Sequence, residues 1–223
     1  NALNADVIAL TEADDRRVVE TLAERLGLNH VWAEGSGDRH IATLSRYPII
    51  EWHIYNKPPL TQAVLETRLG EVTIFNTHLL PYLLLPFEIR RWQAVGRLLE
   101  IIRERKPGRH LIVGDLNAIA PGDRVLQRRN PPRMRRAMML QFGLIFHMAI
   151  PRLLRAGYVD CFRALRPGED GFTWMPGNRT TRYDYVLADP VFARDLRACR
   201  VVDDLEAVSA ASDHFPLLAE FDV

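Results

Sequence analysis

Seven polar side chains occupy one kind of position along this chain. Glu12, His78, Asp115, Asn117, Asp184, Asp213 and His214 each stand at or just past the end of a short apolar run. One acid after a strand is ordinarily a turn or a helix cap, but seven such residues at strand ends can be projected into a common cleft. Carboxylate and carboxamide oxygens are hard ligands of the kind Mg²⁺ or Mn²⁺ takes, and Mg²⁺ characteristically keeps several waters and shares phosphate oxygens with a substrate. Two histidines add a base for an attacking water and a donor for charge developing on phosphate or leaving oxygens, and an adjacent acid orients the base. The set therefore points to hydrolysis of a phosphoester. No Cys or His cluster has zinc spacing, and His30, His53, His110 and His147 lack a comparable setting and read as surface or packing residues.

The elements that must carry these side chains alternate irregularly. "DVIALTEA" is a β-branched apolar run that ends at Glu12, and "DDRRVVETLAERLG" follows as a helix with Gly27 as its stop. Short strands are predicted at 30–34, 40–45 and 50–56, broken by Gly35, Gly37, Pro48 and the Pro58-Pro59 pair. A hairpin turns at Gly70-Glu71 into a strand over 72–77, and a long helix runs from about Phe87 to Lys106 on a stripe of Trp92, Val95, Leu98, Leu99 and Ile102. "RHLIVGDLNA" leads a buried strand straight into Asp115 and Asn117, and "FTWM", "RYDYVLAD", "LRACRVV" and "PLLAEFDV" supply further strands. This order does not suit a doubly wound parallel sheet. Two packed sheets, mostly antiparallel or mixed, with helices outside suit it better.

With 223 residues and 48% hydrophobic content the chain can bury a substantial core, and it reads as one domain over 1–223. A net charge of +1 makes no case for a polyanion partner from totals alone. Cys161 and Cys199 are too few for a disulfide framework and read as structural thiols. No apolar run reaches transmembrane length and no signal peptide opens the chain, so a soluble, cytoplasmic location is the default expectation.

"DVIALTE", "ATLSRYPI", "NTHL", "GDLNA", "RYDYVL" and "SDHFPL" occur in the order and roughly the spacing of the endonuclease/exonuclease/phosphatase family, and the sequence resembles that family from Asp6 to Phe221. The family includes pancreatic-type deoxyribonucleases, abasic-site endonucleases, sphingomyelinases, inositol-polyphosphate phosphatases and deadenylases. The resemblance implies an α/β four-layer sandwich, two mixed β-sheets face to face with helices on both outer sides, and Mg²⁺- or Mn²⁺-dependent phosphoester hydrolysis. It implies that Glu12 and Asp213 hold metal, that His214 activates the water with Asp184 as its orienting partner, and that Asp115 and Asn117 position the nucleophile and contact the phosphate. It also implies that Asn76 and His78 stabilise phosphate oxygens, with His78 donating toward the leaving oxygen. The family's opening strand, with its metal-binding asparagine, has no counterpart in these residues, and neither Asn1 nor Asn4 is given that role.

"NTHL" resembles the deoxyribonuclease, sphingomyelinase and deadenylase branches more than the abasic-site endonucleases, which makes specialised base-excision repair the less expected activity. Between Arg124 and Val159 there are eight arginines and no acid. Arginine forks suit phosphates, so Arg128, Arg129, Arg135 and Arg136 are expected to bind a polyanion, and a nuclease is the favoured reading. "MMLQFGLIFHMAI" and "LPYLLLPF" mix large apolar residues with this charge, so a phospholipid, sphingomyelinase-like or inositol-phosphate phosphoesterase working at a membrane surface is the alternative. A catalytically impaired nucleic-acid- or lipid-binding relative is the non-enzymatic reading.

Overall fold

The computed structural model of the chain describes residues 3–35, 37, 39–204 and 208–222. Val7–Thr11 (β1) leads through Arg16–Leu26 (α1) to Asn29–Ala33 (β2) and Ile41–Ser45 (β3), and the three strands pair antiparallel in the order β1-β3-β2. α1 starts where Asp15 caps the Arg17 amide at 2.8 Å and stops where Gly27 takes φ 67°, a left-handed conformation that suits glycine. Its buried Val19 and Ala23 pack on Ala42 and Leu44 of β3, so α1 covers the outer face of this sheet.

Six further strands form the main sheet. Ile49–Asn56 (β4), Pro59–Thr67 (β5) and Gly70–Thr77 (β6) make an antiparallel meander. The long helix Leu85–Arg105 (α2) then crosses over to Arg109–Asp115 (β7), which lies parallel to β6 as a crossover connection permits. After Pro132–Met139 (α3) and Ala149–Arg155 (α4), Val159–Asp160 (β8), Cys161–Leu165 (α5) and Asp184–Ala188 (β9) complete the order β4-β5-β6-β7-β9-β8. Leu196–Val201 (β10) and Leu217–Phe221 (β11) form a separate antiparallel pair.

One face of the six-stranded sheet packs on β1-β3-β2 and β10-β11 through Ala63, Leu65, Ile74, Leu111 and Val113. The other face packs on α2 and α4 through Phe75, Val95, Leu98, Ile112 and Leu153. This is the expected α/β sandwich; the mixture of strand directions is confined to the six-stranded sheet, and the layer facing it is antiparallel and divided in two. β5 is buried continuously from Pro59 to Leu65 because both its faces are covered, which explains an apolar run with little alternation. "FTWM" forms no strand, only isolated bridges from Trp174 to Thr181 and to His214. Both cysteines are buried free thiols, and no helix among the described residues is long and apolar enough to cross a membrane.

Two buried ion clusters fix the loops around the sheet edge. Glu88 accepts from the Met148 and Ala149 amides at 2.7 and 2.8 Å and from Arg91 Nε at 2.8 Å, while Arg91 Nη1 donates to the Leu80 and Tyr82 carbonyls at 2.7 and 2.8 Å. The segment after His78 is thereby clamped to α2. Arg182 is fully buried, donating to both Asp160 oxygens at 2.9 and 2.7 Å and to Asp123 at 2.8 Å, which sets the chain's path into β9. Breaking such a buried pair from one side costs about 3–5 kcal/mol, because a charge is left without a partner.

Candidate active site

Strand direction explains why the predicted residues meet. β6 and β7 run parallel, so their C-terminal ends, with His78 and Asp115, reach the same edge; β9 runs antiparallel to β7, so its first residue, Asp184, lies opposite Asp115 in register. Glu12 follows β1 in the facing layer, and a bridge between Trp174 and His214 brings in the last segment. The approach of β6 to β7 is close: a Cβ on Gly114, which holds φ 122°, would lie 2.1 Å from the Thr77 carbonyl oxygen and 3.0 Å from Asn76 Oδ1. Only glycine fits there.

Asp115 is the hub. Its Oδ1 accepts from the Asn117 amide at 2.8 Å and its Oδ2 from Asn117 Nδ2 at 3.0 Å, and Asn117 Nδ2 also donates to the Leu79 carbonyl at 3.1 Å. His78 Nε2 lies 3.5 Å and His214 Nε2 4.0 Å from the same Oδ2. Burial, and then the charge of Asp184, push the Asp115 carboxyl well above the ordinary range, with Glu12 adding to the effect. Asp184 Oδ2 lies 2.7 Å from His214 Nδ1, and its backbone amide is held by Thr173 Oγ1 at 3.2 Å. Burial opposes the charged imidazole of His214, but the Asp184 charge and hydrogen bond, with Asp115 and Asp213 behind them, outweigh it and raise the group to about 9. His78 goes the other way: burial, Arg39 and His214 lower it to about 4. At neutral pH the two histidines therefore differ in charge, His214 cationic and His78 neutral, and the His78–Asp115 contact is polar rather than ionic.

Glu12 at φ 53° and Asn117 at φ 47° both hold left-handed backbone conformations, which cost a non-glycine residue about 1–2 kcal/mol. Both flank the cluster. A cleft of about 460 Å³ adjoins it, lined by Leu79 and Leu80 and by Arg39, Lys57, Arg90 and Arg97.

The Endonuclease/Exonuclease/phosphatase family profile matches residues 1–214. The chain belongs to this family. By structure it is similar to an AP endonuclease from Archaeoglobus fulgidus, with a TM-score of 0.79 and 20% identity over 100% of this chain and 91% of that one. It is also similar to the 3'-5' exonuclease NExo from Neisseria meningitidis, with a TM-score of 0.76 and 21% identity over 100% and 91%. A humanized D. rerio TDP2 gives a TM-score of 0.68 and 16% identity over 100% and 87%. No curated protein matches the chain by sequence. At these identities the neighbours share the family's fold.

Within that fold the structure gathers Asp115, Asn117, Asp184, His78 and His214, and it places other expected residues differently. Asn76 is fully buried, and its Nδ2 donates to the Leu10 and Ala42 carbonyls at 3.2 and 2.9 Å while Oδ1 has no hydrogen-bond partner. These bonds tie β6 to β1 and β3. Arg128, Arg129, Arg135 and Arg136 stand exposed on the turn before α3 and on α3 itself. Asn4 accepts from Arg46 at 2.8 Å on the surface, and Asn1 lies outside the described residues.

Glu12 and Asp213, the expected metal ligands, are exposed; the charge of Glu12 acts on Asp115 and that of Asp213 on His214. Among the described residues no three of His, Cys, Asp and Glu converge as a ready-made cage. Hard oxygen donors in mutual repulsion, short of a closed cage, fit an ion held by one or two carboxylates and completed by substrate phosphate and water, which is the habit of Mg²⁺. Arg39, Trp174 and Thr173 went unforeseen. Trp174 Nε1 donates to Asp213 Oδ2 at 3.4 Å and its backbone bridges to His214, yet in sequence it sits in an unremarkable "FTWM".

Proposed function

We propose that the protein is a metal-dependent nuclease that hydrolyses phosphodiester bonds of DNA or RNA by attack of a His214-activated water on phosphorus. The observation that carries this reading is the 2.7 Å Asp184–His214 pair, whose free Nε2 faces Asp115 across 4.0 Å, a span that one water or phosphate oxygen bridges. Asp184 fixes the imidazole with Nδ1 as the protonated atom, leaving Nε2 to take the water's proton. Asn117 and Asp115 position the water and the phosphate. Neutral His78 donates a hydrogen bond toward phosphate or leaving oxygens. Glu12 and Asp213 would hold Mg²⁺ or Mn²⁺, whose charge would offset that of the phosphate and draw the His214 imidazole down from about 9 toward its working range.

Nucleic acid is favoured over small phosphoesters because cations line the cleft beside the site and a second group of exposed arginines stands on and before α3. Lys57 and Arg90 line the cleft beside Leu79, and α3, which carries exposed arginines, packs through Met138 on Leu83, Ile119 and Tyr183, the residue before Asp184. Such an arrangement suits a strand with phosphates on both sides of the scissile one. Plasmid nicking by the purified chain in Mg²⁺, Mn²⁺ or EDTA tests the proposal: nicking that EDTA abolishes supports it, and an inert but folded protein in both metals removes it.

Two further results are expected. Glu12→Gln should weaken Mn²⁺ binding, titrated calorimetrically, by about tenfold or more; a titration that superimposes on the parent's would end the ligand role of Glu12. Replacing Arg128, Arg129, Arg135 and Arg136 together by Ser should reduce the slope of log affinity for duplex DNA against log salt by about three to four. An unchanged slope would mean that this arm is not the contact surface.

A further inference from the structure

α3 ends in a turn that exposes more apolar surface than any fold requirement explains. Met139 is 74% exposed, Leu140 82%, Phe142 93% and Leu144 56%. Gln141 binds this turn to the segment before α2, donating to the Leu83 carbonyl at 2.7 Å and accepting from the Leu85 amide at 3.2 Å, so exposed Tyr82 and Leu85 extend the same apolar face. Met134 and Met138, four residues apart, anchor the inner side of α3 beside Ile119 and Tyr183. The outer side carries Arg133, Arg135 and Arg136, and with Arg128 and Arg129 their guanidinium groups form no ion pair among the described residues.

Phe142 makes the case sharper. It holds φ 56°, with Gly143 at φ 71° and the Gly143 amide bonded to the Met138 carbonyl at 2.9 Å, the geometry of a helix C-terminus that glycine fills best. An aromatic residue here bears backbone strain and leaves its ring in solvent, so nothing in the folded chain offsets the cost of placing it there.

We propose that this face docks the protein on the surface of an anionic lipid bilayer. The apolar side chains would enter the boundary of headgroups and acyl chains, and the unpaired arginines would meet the headgroup phosphates, which is the division of labour of an interfacial amphipathic element. Six large apolar residues spread over two segments form a face too broad to be a wedge between base steps. The apolar face carries the inference; the arginines beside it are the ones proposed above to meet nucleic acid, so bilayer and duplex would compete for them.

The test is flotation of the purified chain with phosphatidylcholine vesicles, with and without phosphatidylglycerol. The chain should partition onto the anionic vesicles at least about tenfold more strongly than onto the neutral ones, and more weakly as salt rises. Leu140→Ser with Phe142→Ser should lower that partition about a hundredfold, leave folding intact because both side chains are exposed, and leave plasmid nicking unchanged. Phe142→Gly alone should raise Tm by relieving the turn while weakening partition, opposite signs that a purely structural role would not produce. The proposal is overturned if the parent fails to partition, or if the double variant partitions like the parent. It is equally overturned if the double substitution instead removes duplex-DNA binding, or removes a self-association that had covered this face.

Discussion

His214→Ala is expected to lower phosphodiester turnover by about three to four orders of magnitude, while circular dichroism and Tm report an intact fold. The size follows from what the residue does alone: of the two imidazoles beside Asp115, His214 is the one hydrogen-bonded to a carboxylate. Asp184 lies 2.7 Å from its Nδ1, whereas His78 Nδ1 has no partner and its ring is drawn down to about 4. A fold disturbance is not expected, because His214 is only half-buried and its backbone bridge to Trp174 does not depend on the side chain. Turnover within about tenfold of the parent would assign the base elsewhere, with His78 the next group to test.

The second large effect concerns Asp184→Asn, with a loss of about a hundredfold to a thousandfold in the plateau rate and a shift in its pH dependence. In the parent, burial works against the imidazolium, but Asp184 supplies the largest opposing charge and holds the group near 9. A base acts when deprotonated, so activity rises as pH climbs through the value the imidazole takes with the metal bound, below that of the metal-free protein. Without the carboxylate the imidazole titrates lower, and the rising limb moves to lower pH even as the plateau falls. Stability carries the same sign. A histidine raised in the folded state adds stability that is fully present below its unfolded pKa of 6.5 and is lost as pH rises through about 9. The Tm gap between parent and variant should therefore narrow across that window. A pH-rate profile whose limb does not move would show that Asp184 does not set the imidazole's charge.

The strands that carry the site were legible in the sequence because they are short apolar runs ending in a polar residue, and neither signal depends on what lies across the core. "RHLIVGD" became β7 ending at Asp115, and "VIALT" became β1 just before Glu12. The motif order marked the family, and the profile match bears that out. Asn76 was not legible in the same way. The carbonyls of Leu10 and Ala42 that its amide reaches are 66 and 34 positions away, and only the packing of the facing sheet brings them to it.

By itself, then, the sequence determined which residue types are available, which strand ends bear them and which family they belong to. Local periodicity and short motifs encode all of that. Only the tertiary structure decided that Asp115 would be the hub, because its neighbours come from positions 78, 117, 184 and 214, and the parallel pairing of β6 with β7 and the antiparallel pairing of β7 with β9 bring them to one edge. It also decided that two histidines of identical chemistry would differ in charge at neutral pH: one is buried beside a cation and the other is bound to a carboxylate. Long-range pairing and burial set those fields, and neither is a property of any local stretch of chain.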